Sequence, residues 1–234
     1  MPNFATPKTK ALLKGIYWKI IPIAILLYVV YQGFLSDAPQ LEILEETVRN
    51  LYFHVPMWFT MTALFVISLV FSLRYLRGQK RIDDLYAVEF ANVGLLFGFL
   101  GLTTGMVWAQ FTWGFFWTWD PKQNFSAITL LIYLVYMVFR NSITDEKVKA
   151  RVSAVLNVFA FSAMVPLIFI LPRMMESLHP GADGNPAFSG YDLDGTMRTI
   201  FYPAVIGWAL LGVWLTTLRH RMRVIKDKLY EIHN

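Results

Sequence analysis

Long apolar runs broken by short polar segments dominate the chain. A helix crossing a bilayer needs about 20 apolar residues, with a range of roughly 17–25, and six stretches meet that length. They are Gly15–Leu35, Val55–Leu73, Leu85–Val107, Pro121–Phe139, Val152–Leu171 and Thr199–Leu218. The first is interrupted by Lys19 near one end, where a lysine snorkels to the interface; the third contains Glu89, and Lys122 opens the fourth. The pattern predicts an all-α integral membrane protein. It reads as a six-helix transmembrane bundle forming one membrane domain over residues 1–234, with no soluble domain attached. No cleavable signal peptide is expected, because the first apolar run is too long and lacks a small-residue cleavage site.

The polar breaks sort by charge. Seventeen of the 21 Lys and Arg residues fall in the N-terminal tail and first-span entry, the second-to-third and fourth-to-fifth loops, and the C-terminal tail. The other side holds only Arg49, Lys122, Arg173 and Arg198. The positive-inside rule then puts both termini in the cytoplasm. A net charge of +5 therefore reflects topology, and no nucleic-acid partner is expected. Composition agrees: 56% of residues are apolar and 16% charged, against about 25% charged in soluble chains, and disorder requires the opposite balance. Cysteine is absent, which excludes disulfides, thiolate metal sites and covalent CxxCH haem attachment. The chain carries no GxxxxGK[ST] phosphate loop, so any energy input must come from a partner.

In this orientation Ser36–His54, Trp108–Asp120 and Pro172–Arg198 face outward. Leu41, Leu44, Val48 and Leu51 share one helical face, predicting a short helix on the membrane surface. It leads into Tyr52-Phe53-His54-Val55-Pro56. Proline suits the first helical turn, which places His54 just outside the second span. The second outer segment holds Trp108, Trp113, Trp117 and Trp119 within twelve residues. An aromatic belt would scatter such residues over several helix ends; their concentration in one loop predicts a wall on which a large planar apolar ligand stacks. Asp120 has a structural role open to it: it can cap the fourth span, with Pro121 at the first helical position and Gln123 closing a capping box. The spacing favours that role over catalysis. In the third outer segment, Asp192-Leu193-Asp194-Gly195 lacks the remaining ligand positions of a calcium loop and reads as a turn.

Of the four histidines, His220 and His233 lie in the cytoplasmic tail and read as solvated or interfacial. His54 and His179 instead come from separate outer segments on either side of the tryptophan loop, and two neutral imidazoles there suit ligation of haem iron from opposite faces. Within the spans, Gly94, Gly98, Gly101 and Gly105 form a small-residue stripe. The stripe implies close helix packing, with a ligand groove as the alternative. Glu89 reads as a paired interfacial carboxylate, although an intramembrane charge also marks a functional candidate.

Trp113-Gly114-Phe115-Phe116-Trp117-Thr118-Trp119-Asp120 resembles the WGxxWxWD signature of the haem-handling superfamily of cytochrome c assembly proteins. Six spans, both termini inside and one outer histidine on each side of the motif resemble its CcmC branch over nearly the whole chain. Asp120-Pro121-Lys122 looks instead like the ending in the larger CcsA-type synthases. Those relatives carry more spans and further histidines within them, and this chain has none inside its expected spans. The resemblance implies a haem-transfer protein, rather than an enzyme with turnover, in the bacterial cytoplasmic (inner) membrane. It implies non-covalent haem b on the periplasmic side, presented to a membrane-anchored haem chaperone that an ABC-type ATPase complex later releases. Carried over residue by residue, His54 and His179 would be the axial iron ligands. Trp108, Trp113, Gly114, Trp117, Trp119 and Asp120 would form the haem platform and chaperone contact. Some of the four outer cations would pair with haem propionates. Two other activities stay open. A haem lyase would attach haem to apocytochrome without the chaperone. A transporter would need a polar path through the spans, for which the sequence offers only Glu89, Asn92 and Asn157.

Overall fold

The computed structural model describes residues 7–37, 45–179 and 193–233. Among them there is no strand. Six helices are long and apolar enough to cross a membrane: α1 Pro7–Leu35, α2 Leu51–Gly78, α3 Arg81–Trp113, α4 Pro121–Ser142, α5 Glu146–Val165 and α6 Gly195–His233. α5 runs on through a π-helical turn, Pro166–Ile170, and a short 3-10 turn, Leu171–Arg173. Proline explains that change of geometry, because Pro166 and Pro172 have no N–H to continue the helical ladder.

Most helices run past the spans read off the hydropathy, and three of these differences bear on the site, each for a local reason. α2 starts at Leu51 rather than Val55, because a 3-10 helix, Glu45–Asn50, feeds directly into it. His54 therefore lies in its first turn, inside the helix. The surface helix expected at Leu41–Leu51 is thus a 3-10 helix over its described part, and residues 41–44 lie outside the described residues. α3 continues through Trp108 to Trp113 and ends at Gly114, whose φ of 84° is the left-handed geometry that glycine adopts without penalty. The loop is Gly114–Asp120 and carries two of the four tryptophans. α6 opens on Asp194, whose carboxylate accepts from the Met197 N–H at 2.7 Å. Asp194 is a helix cap, consistent with a turn, and Asp192 lies outside the described residues.

The centre of the bundle is the antiparallel seam between α2 and α3. The glycine stripe is the α3 side of that seam; α2 supplies a side chain at each gap, and Leu130 of α4 also closes on Gly98. A Cβ on Gly94 would lie 2.6 Å from the Phe65 ring, on Gly98 2.8 Å from Met61 Sδ, on Gly101 2.9 Å from Trp58, and on Gly105 2.5 Å from His54. The α2 residues 54, 58, 61 and 65 repeat the 4-3-4 spacing of the glycines in reverse, so four knobs enter four gaps. The stripe is packing, as small residues at membrane helix interfaces generally are, and no groove remains along it. α1 packs mainly on α6, while Tyr17, Ile20, Leu27 and Tyr31 point away from the bundle.

Charge is concentrated at the opposite end of α3 from Trp113. Arg140 holds Asp84 through two bonds of 2.7 Å, both groups buried. Glu89 accepts from Arg219 at 2.7 Å and from Arg223 at 3.0 Å, which is the paired carboxylate expected of it. Arg74 lies 3.1 Å from Asp83. His220 differs from its expectation: it is buried and stacked on Tyr86 with ring centroids 4.0 Å apart. The side chain of His233 lies outside the described residues.

Candidate functional site

His54 is held from below and behind. Its Nδ1 lies 2.9 Å from the Gly101 carbonyl oxygen and 3.2 Å from Thr104 Oγ1. A carbonyl only accepts, so Nδ1 carries the proton. Thr104 fits this, because its one hydroxyl proton is shared between the Leu100 and Gly101 carbonyls, at 2.7 and 3.1 Å, and leaves an oxygen lone pair for the imidazole. The tautomer is thereby fixed, and Nε2 keeps its lone pair with no partner among the described residues. The imidazole rests on Gly105, where any side chain would occupy the ring's place.

His179 is fixed by a different kind of partner. Its Nδ1 lies 2.9 Å from Asp120 Oδ1, which again leaves Nε2 unpartnered among the described residues. Trp113 meets the ring edge to face at 4.8 Å, Trp108 is tilted at 6.0 Å, and the two indoles contact each other at 4.8 Å. The two imidazoles are electrostatic neighbours, although His54 comes from α2 and His179 from the segment that follows α5.

Asp120 joins these elements. Oδ1 accepts from the Lys122 N–H at 2.8 Å, which caps α4. Oδ2 accepts from the Leu178 N–H at 2.7 Å, and Ser177 Oγ donates to both oxygens. The carboxylate is 4% exposed. Burial pushes its pKa up, but the hydrogen bond and charge of His179 and the N–H groups of Leu178 and Lys122 outweigh burial and hold it well below the usual carboxylate range. The expected capping box does not form. Gln123 Oε1 accepts from the N–H and hydroxyl of Thr118, both at 2.9 Å, and its amide donates to the Phe116 carbonyl at 3.3 Å. It braces the loop two residues before the cap.

The tryptophans divide into two pairs. Trp108 and Trp113, on the last turns of α3, pack around His179. Trp117 and Trp119 meet edge to face at 6.4 Å in the loop. All these contacts are steep, so the rings form a set of edges and faces rather than one flat wall. Trp119 is 77% exposed, and Phe115 and Phe116 beside it are also exposed. Trp119 sits at φ 60°, a left-handed conformation costly for a residue with a Cβ. Asn124 holds it there by donating to its carbonyl at 2.7 Å.

Of the four cations expected on the outer side, Arg49 is already engaged. Its guanidinium donates to the carbonyls of Gly33 and Ser36 at 3.1 and 2.7 Å and pairs with Glu46, tying the end of α1 to the start of α2. Arg173 and Arg198 are exposed. Lys122 has both Asp120 and Arg173 as charged neighbours. Sequence reasoning missed Gly101, Thr104 and Ser177 as holders of the imidazoles. Gly101 and Thr104 lie one turn apart on α3 beside the stripe, but nothing in the sequence pairs them with His54.

The profile of the CcmC family, described as heme exporter protein C, matches residues 1–233. A protein named heme exporter protein C from Haemophilus influenzae is 24% identical over 232 residues, covering 96% of this chain and 91% of its own length. The protein of that name from Paracoccus denitrificans is 29% identical over 187 residues, covering 78% and 76% of the two chains. The Escherichia coli protein of that name is 24% identical over 177 residues, covering 76% and 70%. With six membrane-length helices and a family match running the length of the sequence, this chain belongs to the CcmC family.

Proposed function

We propose that this protein binds haem as cargo at the outer face of the bacterial cytoplasmic membrane and delivers it to a membrane-anchored haem chaperone during c-type cytochrome assembly. Both termini lie in the cytoplasm, and an ABC-type ATPase complex acts later in the same pathway. The haem is haem b, held non-covalently. The observation that carries the reading is the pair of histidines fixed in the same tautomer. His54 and His179 each have Nδ1 occupied by an oxygen and, among the described residues, Nε2 unpartnered, the state in which a neutral imidazole ligates iron. The donor set fits haem, since it offers two imidazoles for the axial positions and a cluster of aromatic side chains for the macrocycle.

Each element of the site has a defined task. Gly101, Thr104 and Gly105 hold His54; Asp120 holds His179. Trp108 and Trp113 exclude water from the His179 ring and set its tilt. Trp117 and the exposed Trp119, Phe115 and Phe116 offer the apolar surface that both the haem edge and the chaperone require. Arg173, Arg198 and Lys122 supply positive charge for propionates, and Arg49 is a structural tie. Passage of haem through the bundle finds no support, because Phe65, Met61, Trp58 and His54 fill the α2–α3 seam.

The test is an optical spectrum of the detergent-purified protein. The wild type is expected to carry six-coordinate low-spin haem. His54→Ala and His179→Ala should stay folded and lose haem or its low-spin signature, with partial recovery in added imidazole, and His233→Ala should change neither. A wild-type spectrum in both outer variants would refute the ligand assignment. Reporter fusions after Gly78, Thr144 and Asn234 should read as cytoplasmic, and fusions after Gln40 and Gly184 as external; the reverse pattern overturns the facing of the site.

A further inference from the structure

We infer that the two histidines are ligands of unequal strength, with His179 the anchor, His54 the exchangeable ligand, and Asp120 the residue that sets the difference. This rests on the haem reading above and goes beyond it by assigning an order of release. Both imidazoles are oriented through Nδ1, but the acceptors differ in kind. His179 donates to a buried carboxylate at 2.9 Å, and His54 donates to a backbone carbonyl at the same distance. A carboxylate draws on the Nδ1 proton more strongly than a neutral amide oxygen does. The imidazole acquires imidazolate character, and Nε2 becomes the better donor to iron.

Neither acceptor serves the imidazole alone. Asp120 also accepts from Lys122, Leu178 and Ser177, and the Gly101 carbonyl also accepts from the Thr104 hydroxyl at 3.1 Å. Sharing weakens both, but one remains an anion and the other a dipole, so the ranking stands. The aromatic neighbours differ in number: Trp113 meets the His179 ring at 4.8 Å with Trp108 at 6.0 Å, whereas His54 has Trp58 alone at 6.3 Å and is seated on Gly105.

Release by this order is a ligand exchange without redox change. The bond from iron to His54 Nε2 breaks with its electron pair returning to nitrogen. His54 remains neutral and keeps its Nδ1 proton, and the lone pair of an incoming neutral nitrogen donor forms the new bond. The iron keeps its oxidation state, and His179 holds it throughout.

The experiment uses the full chain loaded with haem in detergent, and free imidazole as the incoming ligand. Midpoint potentials are measured for the wild type and for His54→Gly and His179→Gly, each filled with imidazole, with and without Asp120→Asn. Loss of the stronger donor should favour ferrous iron about tenfold, the lower end of the effect of removing an outer-shell partner, or about 59 mV for a one-electron couple. Asp120→Asn should raise the potential by about that much in the wild type and in His54→Gly, and leave His179→Gly unmoved. Haem transfer to apomyoglobin should be at least about tenfold faster from His179→Gly than from His54→Gly. Ser177→Ala loosens the same segment but keeps the carboxylate and frees it of one competing donor, so its potential should not rise. An unmoved potential in Asp120→Asn, an equal shift in both histidine backgrounds, a Ser177→Ala rise as large as that of Asp120→Asn, or faster loss from His54→Gly each overturns the inference. If both histidine variants keep the wild-type spectrum, the ligand reading itself fails; two required but equal histidines sink only the ranking.

Discussion

Replacing Gly105 with alanine puts a methyl group in place of a hydrogen at a crowded point of the site. The new Cβ would lie 2.5 Å from His54 Cε1, 3.1 Å from Nδ1 and 3.3 Å from Nε2. The ring has no easy retreat, because its Nδ1 is bonded to Gly101 and Thr104 on the same helix. Overpacking of this kind costs about 1–3 kcal/mol, and a lost hydrogen bond adds about 0.5–1.5 kcal/mol. Alanine's better helix propensity returns about 1 kcal/mol. A net cost of about 1–3 kcal/mol, falling on the orientation of one ligand, corresponds to roughly fivefold to a hundredfold in haem retention. Gly94→Ala is the control. It inserts a Cβ 2.6 Å from Phe65 on the same seam, about 16 Å along α3 at 1.5 Å per residue. Both variants should lower the melting temperature in detergent, and only Gly105→Ala should alter the haem spectrum. In a His54→Ala background Gly105→Ala should cost nothing further, because the clash has gone. An unchanged spectrum and unchanged retention in Gly105→Ala would refute the reasoning.

Further predictions follow from other contacts. Arg140→Ala leaves Asp84 charged and buried and should cost about 3–5 kcal/mol, most of it recovered in the Arg140→Ala/Asp84→Ala pair, as read by thermal melts. Trp119→Gly removes the left-handed strain and should melt higher than Trp119→Ala by about 1 kcal/mol equivalent, while both lose haem retention relative to the wild type. The folded-state pKa of Asp120 is depressed, so the stability it contributes is complete above an unfolded pKa of about 3.9 and is lost as pH falls below that value. Melts between pH 6 and pH 3 should show this acid loss in the wild type and a smaller one in Asp120→Asn; equal slopes would exclude the linkage.

The spans were legible because hydropathy and length are summed over many residues, and a single Lys19 or Glu89 does not erase a twenty-residue signal. Element ends were less so. Val107 looks like the end of a span, yet α3 carries on to Trp113, because Trp108–Trp113 contains no breaker and the first left-handed position is Gly114. His54 reads as lying outside its span because Pro56 looks like a first turn; the helix begins five residues earlier, and Pro56 lies inside it, where its missing N–H leaves one carbonyl of the opening turn without its helical partner. The ligand pair and Asp120 were visible as residue types. Their holders were not, since the Gly101 and Thr104 contacts with His54, and those of Ser177 and Leu178 with Asp120, join positions 47–58 residues apart. No local pattern encodes such pairs. Arg49 was one of four cations from which the propionate partners were expected; its geometry satisfies two carbonyls at the end of a helix, a tie that no local pattern announces.

Capping and ligand support stood as alternatives for Asp120 when only its neighbours in sequence were visible. In three dimensions they use the same group. A carboxylate has two oxygens and about four acceptor directions, and a cap consumes one of them. The remaining directions take Leu178, Ser177 and His179, so the residue that starts α4 also fixes the segment carrying His179. Asparagine is as good a cap as aspartate, but it is not neutral here. With its oxygen at the Oδ1 position it keeps Lys122 and His179, and its NH2 then faces the Leu178 N–H, two donors at a site built for one acceptor. Asp120→Asn should therefore preserve α4 and loosen the 177–179 segment. Hydrogen exchange should show this as unchanged protection at Asn124, whose N–H bonds the Asp120 carbonyl at 3.0 Å, and faster exchange at Leu178. Equal protection at both amides would mean that the cap is all Asp120 supplies.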